Sequence, residues 1–182
     1  MKRNLTLLFF LFAAMVANAQ VVLLQENFQD WAVQDTAISY SFTKKLYDGK
    51  TSGTFTSNAL VVAPNKAIGA CGVAEGNGNP TKGRIAIKDK SSFLQLPELS
   101  SVGQINIKAS SGKDLKEFKL QVYKDGSFVD IPNTVTPCMK GVTKLFTFNF
   151  AYAAPTTIRI VPNSSGKIFF WDLEVRSYTS KH

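Results

Sequence analysis

Gly166-Lys167-Ile168-Phe169-Phe170-Trp171-Asp172-Leu173-Glu174-Val175-Arg176-Ser177-Tyr178-Thr179 is the stretch on which the fold turns. Ile168, Phe169, Phe170, Trp171, Leu173 and Val175 are all residues that favour a pleated, packed environment. A run this apolar so near the chain end predicts a strand inside a sheet rather than a fraying tail. Asp172 and Glu174 interrupt it. The carboxylate of Asp172 needs a chemical partner. Trp171 reads two ways: alternation with Leu173 and Val175 makes it core, whereas a bulge at Asp172 would expose it.

The same period-two alternation recurs outward along the chain, and helical spacing is nearly absent. Strands are predicted over Val21 to Phe28, Ser39 to Thr43, Thr54 to Val62, Ile68 to Val73, Arg84 to Lys88 and Phe93 to Leu96. Further strands are predicted over Gln104 to Ala109, Glu117 to Lys124, Phe128 to Ile131, Lys144 to Phe150 and Thr156 to Val161. Asp30 to Ile38 reads as a loop carrying Trp31. Asp125-Gly126 is the strongest hairpin signal. Many short strands with frequent turn signals favour a sandwich or barrel. One-sided alternation asks for sheets packed on one face and wet on the other. The expected fold is all-β, a two-sheet antiparallel β-sandwich of jelly-roll type.

Residues 1–19 read as a leader to be removed, leaving one domain over residues 20–182. Lys2 and Arg3 form a basic start, Leu5 to Val16 an apolar stretch, and Ala17-Asn18-Ala19 a small-x-small cleavage site. The apolar run is short of the ~20 residues that span a bilayer. The chain is therefore expected to be exported, periplasmic or extracellular, with no membrane span. The formal charge of +8 comes from scattered lysines and arginines, not from a clustered patch. Nucleic-acid binding is accordingly not expected. Cys71 and Cys138 are open to a disulfide, to two thiols, or to a metal site; a bridge would add ~4 kcal/mol in the chain-entropy model.

Three segments carry a resemblance: Glu26-Asn27-Phe28-Gln29-Asp30-Trp31; Gly83 to Ile87 with Phe93 to Leu99; and the closing Ile168 to Val175. Together they resemble the jelly-roll modules of secreted Bacteroidetes proteins, which are similar to non-catalytic carbohydrate-binding modules and galactose-binding-like domains. The resemblance implies a carbohydrate partner. It also implies a structural Ca²⁺ between the first and last strands, for which the matching residues are Glu26 and Asp172. Carbonyls of the Tyr47 to Gly53 turn, with Asp48, would complete the oxygen ligands calcium requires. The modules often close on two consecutive Asp residues; here Trp171 stands in place of the first.

A sugar site needs a flat ring and polar groups on an open face or loop rim. Trp31 and Tyr47 are the loop aromatics. The outward-facing Arg84, Asn106, Gln121 and Tyr123, with Lys108, Lys119, Thr147, Asn149 and Arg159, are expected to share one polar sheet face. Catalysis is not expected. The single histidine, His182, is the last residue and cannot be held in a triad. Glu75, Asp89, Glu98, Asp172 and Glu174 show no spacing that marks a glycosidase pair. The competing expectation is an adhesin-like module that meets a protein partner through sheet edges and loops.

Overall fold

The computed structural model describes residues 20–28, 30–31, 34–63 and 84–179. The stretch read as a leader, the strand expected over 68–73 and Cys71 lie outside them. Twelve strands follow one another: β1 (Val22–Glu26), β2 (Gln34–Lys45), β3 (Ser52–Ala63), β4 (Arg84–Ile87), β5 (Phe93–Gln95), β6 (Val102–Ser111), β7 (Lys116–Lys124), β8 (Ser127–Asp130), β9 (Thr136–Cys138), β10 (Lys144–Tyr152), β11 (Ile158–Pro162) and β12 (Ile168–Arg176). Among the described residues no helix is long and apolar enough to cross a membrane.

The strands form an antiparallel β-sandwich with sheets of five and seven strands. The first sheet runs β10-β6-β12, with β4 beside one half of β12 and β1 beside the other. The second runs β2-β3-β5-β11-β7, with β8 and β9 sharing the far side of β7. The long β3 joins the two. Its Thr56–Asn58 stretch pairs with β5, and its Val61–Ala63 stretch pairs with β4. A strand of 12 residues can turn from one sheet into the other because strands twist as they lengthen.

The inward-facing residues build one core. Ile105, Ile107, Leu173 and Val175 from the first sheet meet Leu94, Phe118, Leu120 and Ile160 from the second, all nearly sealed from solvent. Phe118 sits at its centre, edge-on to Phe146, Phe148 and Phe170 at 5.8, 6.1 and 5.4 Å. Phe146, Phe148 and Phe150 of β10 pack against this core. They are only partly buried, because β10 is the outer strand of its sheet and has a paired neighbour on one side alone.

The hairpin at Asp125-Gly126 forms as its sequence requires. Both residues have positive φ, 52° and 85°, which matches the primed turn that fits strand twist. Two elements depart most from expectation. β2 begins at Gln34, inside the stretch read as a loop. β9 was not anticipated, because Pro137 sits in its middle. It lies on one edge of β7, where a missing N–H is tolerated, and its neighbours Thr136 and Cys138 face inward.

Candidate functional site

β1 and β12 are antiparallel neighbours, with Leu24 opposite Val175, Gln25 opposite Glu174 and Glu26 opposite Leu173. On its other side β12 pairs with β6, and there the register slips between Phe170 and Asp172. Trp171 is the extra residue of this bulge. The slip puts Ile168 and Phe170 in the main core and Trp171, 1% exposed, in a second cluster with Phe169 and Ala86. The bulge thus buries Trp171 on the opposite face instead of exposing it. Immediately after it, Asp172 emerges at the surface.

A cleft of about 550 Å³ opens at this junction, lined by Gln25, Glu26, Asn27, Asp30, Lys44, Asn106, Leu145, Asp172, Leu173 and Glu174. Glu26 is its most buried charged wall, 4% exposed. Its Oε1 accepts the Phe28 N–H at 2.6 Å, closing a tight turn in which Phe28 takes a φ of 58°. A bulky residue rarely adopts this conformation, and the buried Phe28 ring is held there by Trp31, edge-on at 5.3 Å. Glu26 Oε2 faces Lys44 Nζ at 3.0 Å, an ionic contact off the hydrogen-bonding direction. The same ammonium donates to the Gln25 carbonyl at 3.0 Å.

The two carboxylates of β12 behave differently. Glu174 accepts hydrogen bonds from Arg176 at 2.6 Å, Gln25 at 2.9 Å and Asn106 at 3.3 Å. Those bonds, Arg176 first, hold it below its ordinary range. Among the described residues Asp172 faces Lys108 at 4.0 Å. Partial desolvation in the cleft pushes its carboxyl above the ordinary range, and Lys108 opposes the shift.

Glu26 and Asp172 therefore line one cleft, as the calcium expectation requires. The donor set does not fit the ion. Among the described residues no group of three or more His, Cys, Asp or Glu side chains converges as metal ligands. Lys44 already neutralises Glu26. The turn expected to lend carbonyls belongs elsewhere: Asp48 accepts from the Lys50 and Thr51 N–H groups at 2.8 and 2.9 Å and from the Thr51 hydroxyl at 2.7 Å. These bonds, led by the Thr51 hydroxyl, hold its carboxyl below the ordinary range. Asp48 and the exposed Tyr47 rim a separate pocket of about 250 Å³ that includes Leu23, Leu46 and Glu98.

A second arrangement lies on the outer face of the seven-stranded sheet. Register brings one residue from each of successive strands into a row: Ser41 opposite Thr56, Thr56 opposite Gln95, Gln95 opposite Arg159, Arg159 opposite Gln121, and Gln121 opposite Asp130. Neighbours in such a row are spaced by about 4.8 Å. Arg159 is its hub. Its Nε donates to Gln121 Oε1 at 2.6 Å, and its guanidinium lies over the rings of Phe128 and Phe93 at 4.1 and 5.2 Å. Gln121 Nε2 and Lys119 Nζ both donate to Asp130 at 2.6 Å. Lys119, then Gln121, holds the Asp130 carboxyl below its ordinary range. Beside the row stands Tyr123, 52% exposed, edge-on to Phe128 at 5.2 Å.

The expected sugar residues are thus dispersed. Trp31 is core, 4% exposed and packed on Phe42 at 4.8 Å and Phe55 at 5.4 Å, so it offers no ring to a ligand. Tyr47 is exposed by its own pocket. The Arg84 side chain lies outside the described residues, and its backbone is on β4. Asn106 belongs to the first cleft, while Gln121 and Tyr123 belong to the platform. The single polar face is corrected to two: Asn106, Lys108, Thr147 and Asn149 are on the five-stranded sheet, and Lys119, Gln121, Tyr123 and Arg159 on the seven-stranded one. Phe93, Phe128 and Gln95 were not singled out, since only the strand order brings them beside Arg159. Cys138 is a buried free thiol, and burial pushes its pKa up to about 12.

No family model matches the chain, and no curated protein does. Solved structures match in fold. The CBM22-1 and GH10 modules of Clostridium thermocellum endo-1,4-β-D-xylanase 10B, complexed with xylohexaose, align with a TM-score of 0.52 at 13% identity. That alignment covers 90% of this chain and 30% of the xylanase, so the chain spans under a third of that protein. The CBM22-1 xylan-binding domain of Paenibacillus barcinonensis Xyn10C aligns at 0.46 and 11% identity, covering 91% of this chain and 99% of that one. The K2 cleaved adhesin domain of Lys-gingipain aligns at 0.49 and 10%, covering 90% and 99%. The likeness is one of fold: this chain is a jelly-roll sandwich of the kind found in carbohydrate-binding modules.

Proposed function

We propose that this chain is an exported, non-catalytic module that binds carbohydrate on the outer face of its seven-stranded sheet. The observation that carries the reading is Tyr123, a half-exposed ring standing beside Arg159 and Gln121. A pyranose offers an apolar face to a flat ring and hydroxyls to polar groups at its rim. Tyr123 supplies the ring, and the Gln95, Arg159 and Gln121 row supplies donors and acceptors. Arg159 is fixed by two aromatic rings and a hydrogen bond, so little side-chain entropy remains to be lost on binding.

Binding rather than turnover suits the site's one carboxylate. Asp130 is tied to Lys119 and Gln121, which keeps it ionised and unfit to donate a proton. A structural calcium ion on Glu26 and Asp172 forms no part of this reading, because Lys44 already engages Glu26. Export rests on Lys2-Arg3, the apolar stretch after them and the Ala17-Asn18-Ala19 site. The test is affinity electrophoresis against a panel of soluble plant, bacterial and host polysaccharides. The protein is expected to be retarded by at least one, and Tyr123→Ala to lose at least tenfold in affinity while its melting temperature is unchanged. Retardation that survives Tyr123→Ala would move the site elsewhere; no retardation by any polysaccharide would leave the protein-interaction reading.

A further inference from the structure

The resemblance of Glu26 to Trp31 and Ile168 to Val175 implies a divalent cation where the first and last strands meet, and this chain places a lysine there. Lys44 reaches from the end of β2 into the cleft. Its Nζ is 3.0 Å from Glu26 Oε2 and 3.0 Å from the Gln25 carbonyl oxygen. A carboxylate and a backbone carbonyl are two of the hard oxygens that bind calcium, and here both turn towards one ammonium. The contact to Glu26 is ionic rather than directional, as an ion's would be. The Glu26 side chain is 2% exposed, and the Lys44 side chain 29%. The carboxylate therefore relies on protein groups rather than water. Its other oxygen is committed to the Phe28 N–H.

We infer that Lys44 is the resident cation of this cleft: its ammonium takes the place of a divalent ion and joins β1, β2 and the Glu26–Phe28 turn without metal. An ammonium is a compact charge with three donors on a flexible stem, which is what the position requires. Lys108 is the cleft's other lysine neighbour. It faces Asp172 at 4.0 Å and so compensates the second carboxylate that a metal would have used.

Thermal melts in millimolar calcium and in chelator test the inference. The protein is expected to melt at the same temperature in both. Lys44→Ala leaves Glu26 buried without its partner, and its melting temperature in chelator is expected to fall by roughly 10 °C. Calcium is expected to restore much of that loss, because the vacated oxygens then face open space. The inference is overturned if the unaltered protein melts lower in chelator and recovers with calcium. It is equally overturned if folded Lys44→Ala does not respond to calcium. Should Lys44→Ala fail to fold, the pair Glu26→Gln with Lys44→Met removes both charges together. That pair is expected to fold and to ignore calcium; a pair that does not fold, or that calcium stabilises, is the contrary result.

Discussion

Asp172 and Glu174 are two residues apart on one strand, line one cleft, and are driven in opposite directions. Arg176, Gln25 and Asn106 favour the charged form of Glu174. Its folded pKa is therefore below the unfolded value of ~4.3. The stability it contributes is present above that value and is lost as pH falls through the lowered folded pKa. Asp172 has the opposite sign. Its raised pKa means the charged form is disfavoured in the folded state, a cost present at neutral pH and relieved as pH falls through the raised value. Carbon-detected NMR titration should find Glu174 deprotonating below the ordinary range of a glutamate and Asp172 above that of an aspartate. Lys108→Met should move Asp172 higher still, because Lys108 is the group that opposes its shift. An Asp172 that titrates at or below the ordinary aspartate range would show that the cleft is wetter than its geometry implies.

Among the elements, β6 carries the clearest steric requirement. A Cβ built on Gly103 would lie 2.3 Å from the Ser177 carbonyl oxygen and 2.7 Å from the Tyr178 Cα. Both are backbone atoms and cannot swing aside. Tyr178 is further held by its N–H to the Ser101 hydroxyl at 3.2 Å. Gly103→Ala should therefore push the chain after β12 off β6 and destabilise the fold by ~1–3 kcal/mol, measured by urea denaturation. An unchanged midpoint would mean that segment is not seated on β6. The sequence already placed β6, β7, β10 and β12, whose alternation survives because one face of each strand meets the core. It also placed the Asp125-Gly126 turn, since two positive φ values demand those residue types. Pro137 hid β9, because the tolerance of an edge for proline depends on a neighbour the sequence does not name. Trp31 entered the list of ligand candidates for a related reason. A tryptophan in a turn-rich stretch looks exposed until β2 and β3 bring Phe42 and Phe55 against it. The Arg159 platform was illegible as a unit, because Gln95, Arg159, Gln121 and Asp130 become neighbours only through the order β5-β11-β7-β8.

At the scale of the whole molecule, the two described ends are fastened to each other. The Val21 N–H donates to the Ser177 hydroxyl at 2.9 Å, and the Ser177 N–H donates to the Val21 carbonyl at 2.7 Å. β1 continues that contact along β12 up to Glu26 opposite Leu173. Cleavage before Gln20 would leave all of this intact, so a chain beginning at Gln20 should fold cooperatively; if the proposed export holds, protein recovered from outside the cytoplasm should begin there by intact-mass measurement. A chain beginning at Asn27 should behave otherwise. It loses Leu24, which is fully buried, and that alone costs ~2–5 kcal/mol on the scale of large core truncations. It also strips one half of β12 of its neighbour and leaves Lys44 without Glu26. Together these losses are comparable with the ~5–15 kcal/mol by which domains are stable, so the shorter chain should be largely unfolded at 25 °C by circular dichroism. If it instead unfolds at the same urea concentration as the longer chain, the closing strand does not depend on the first for its place in the sheet, and the cleft between them is not the keystone its contacts make it.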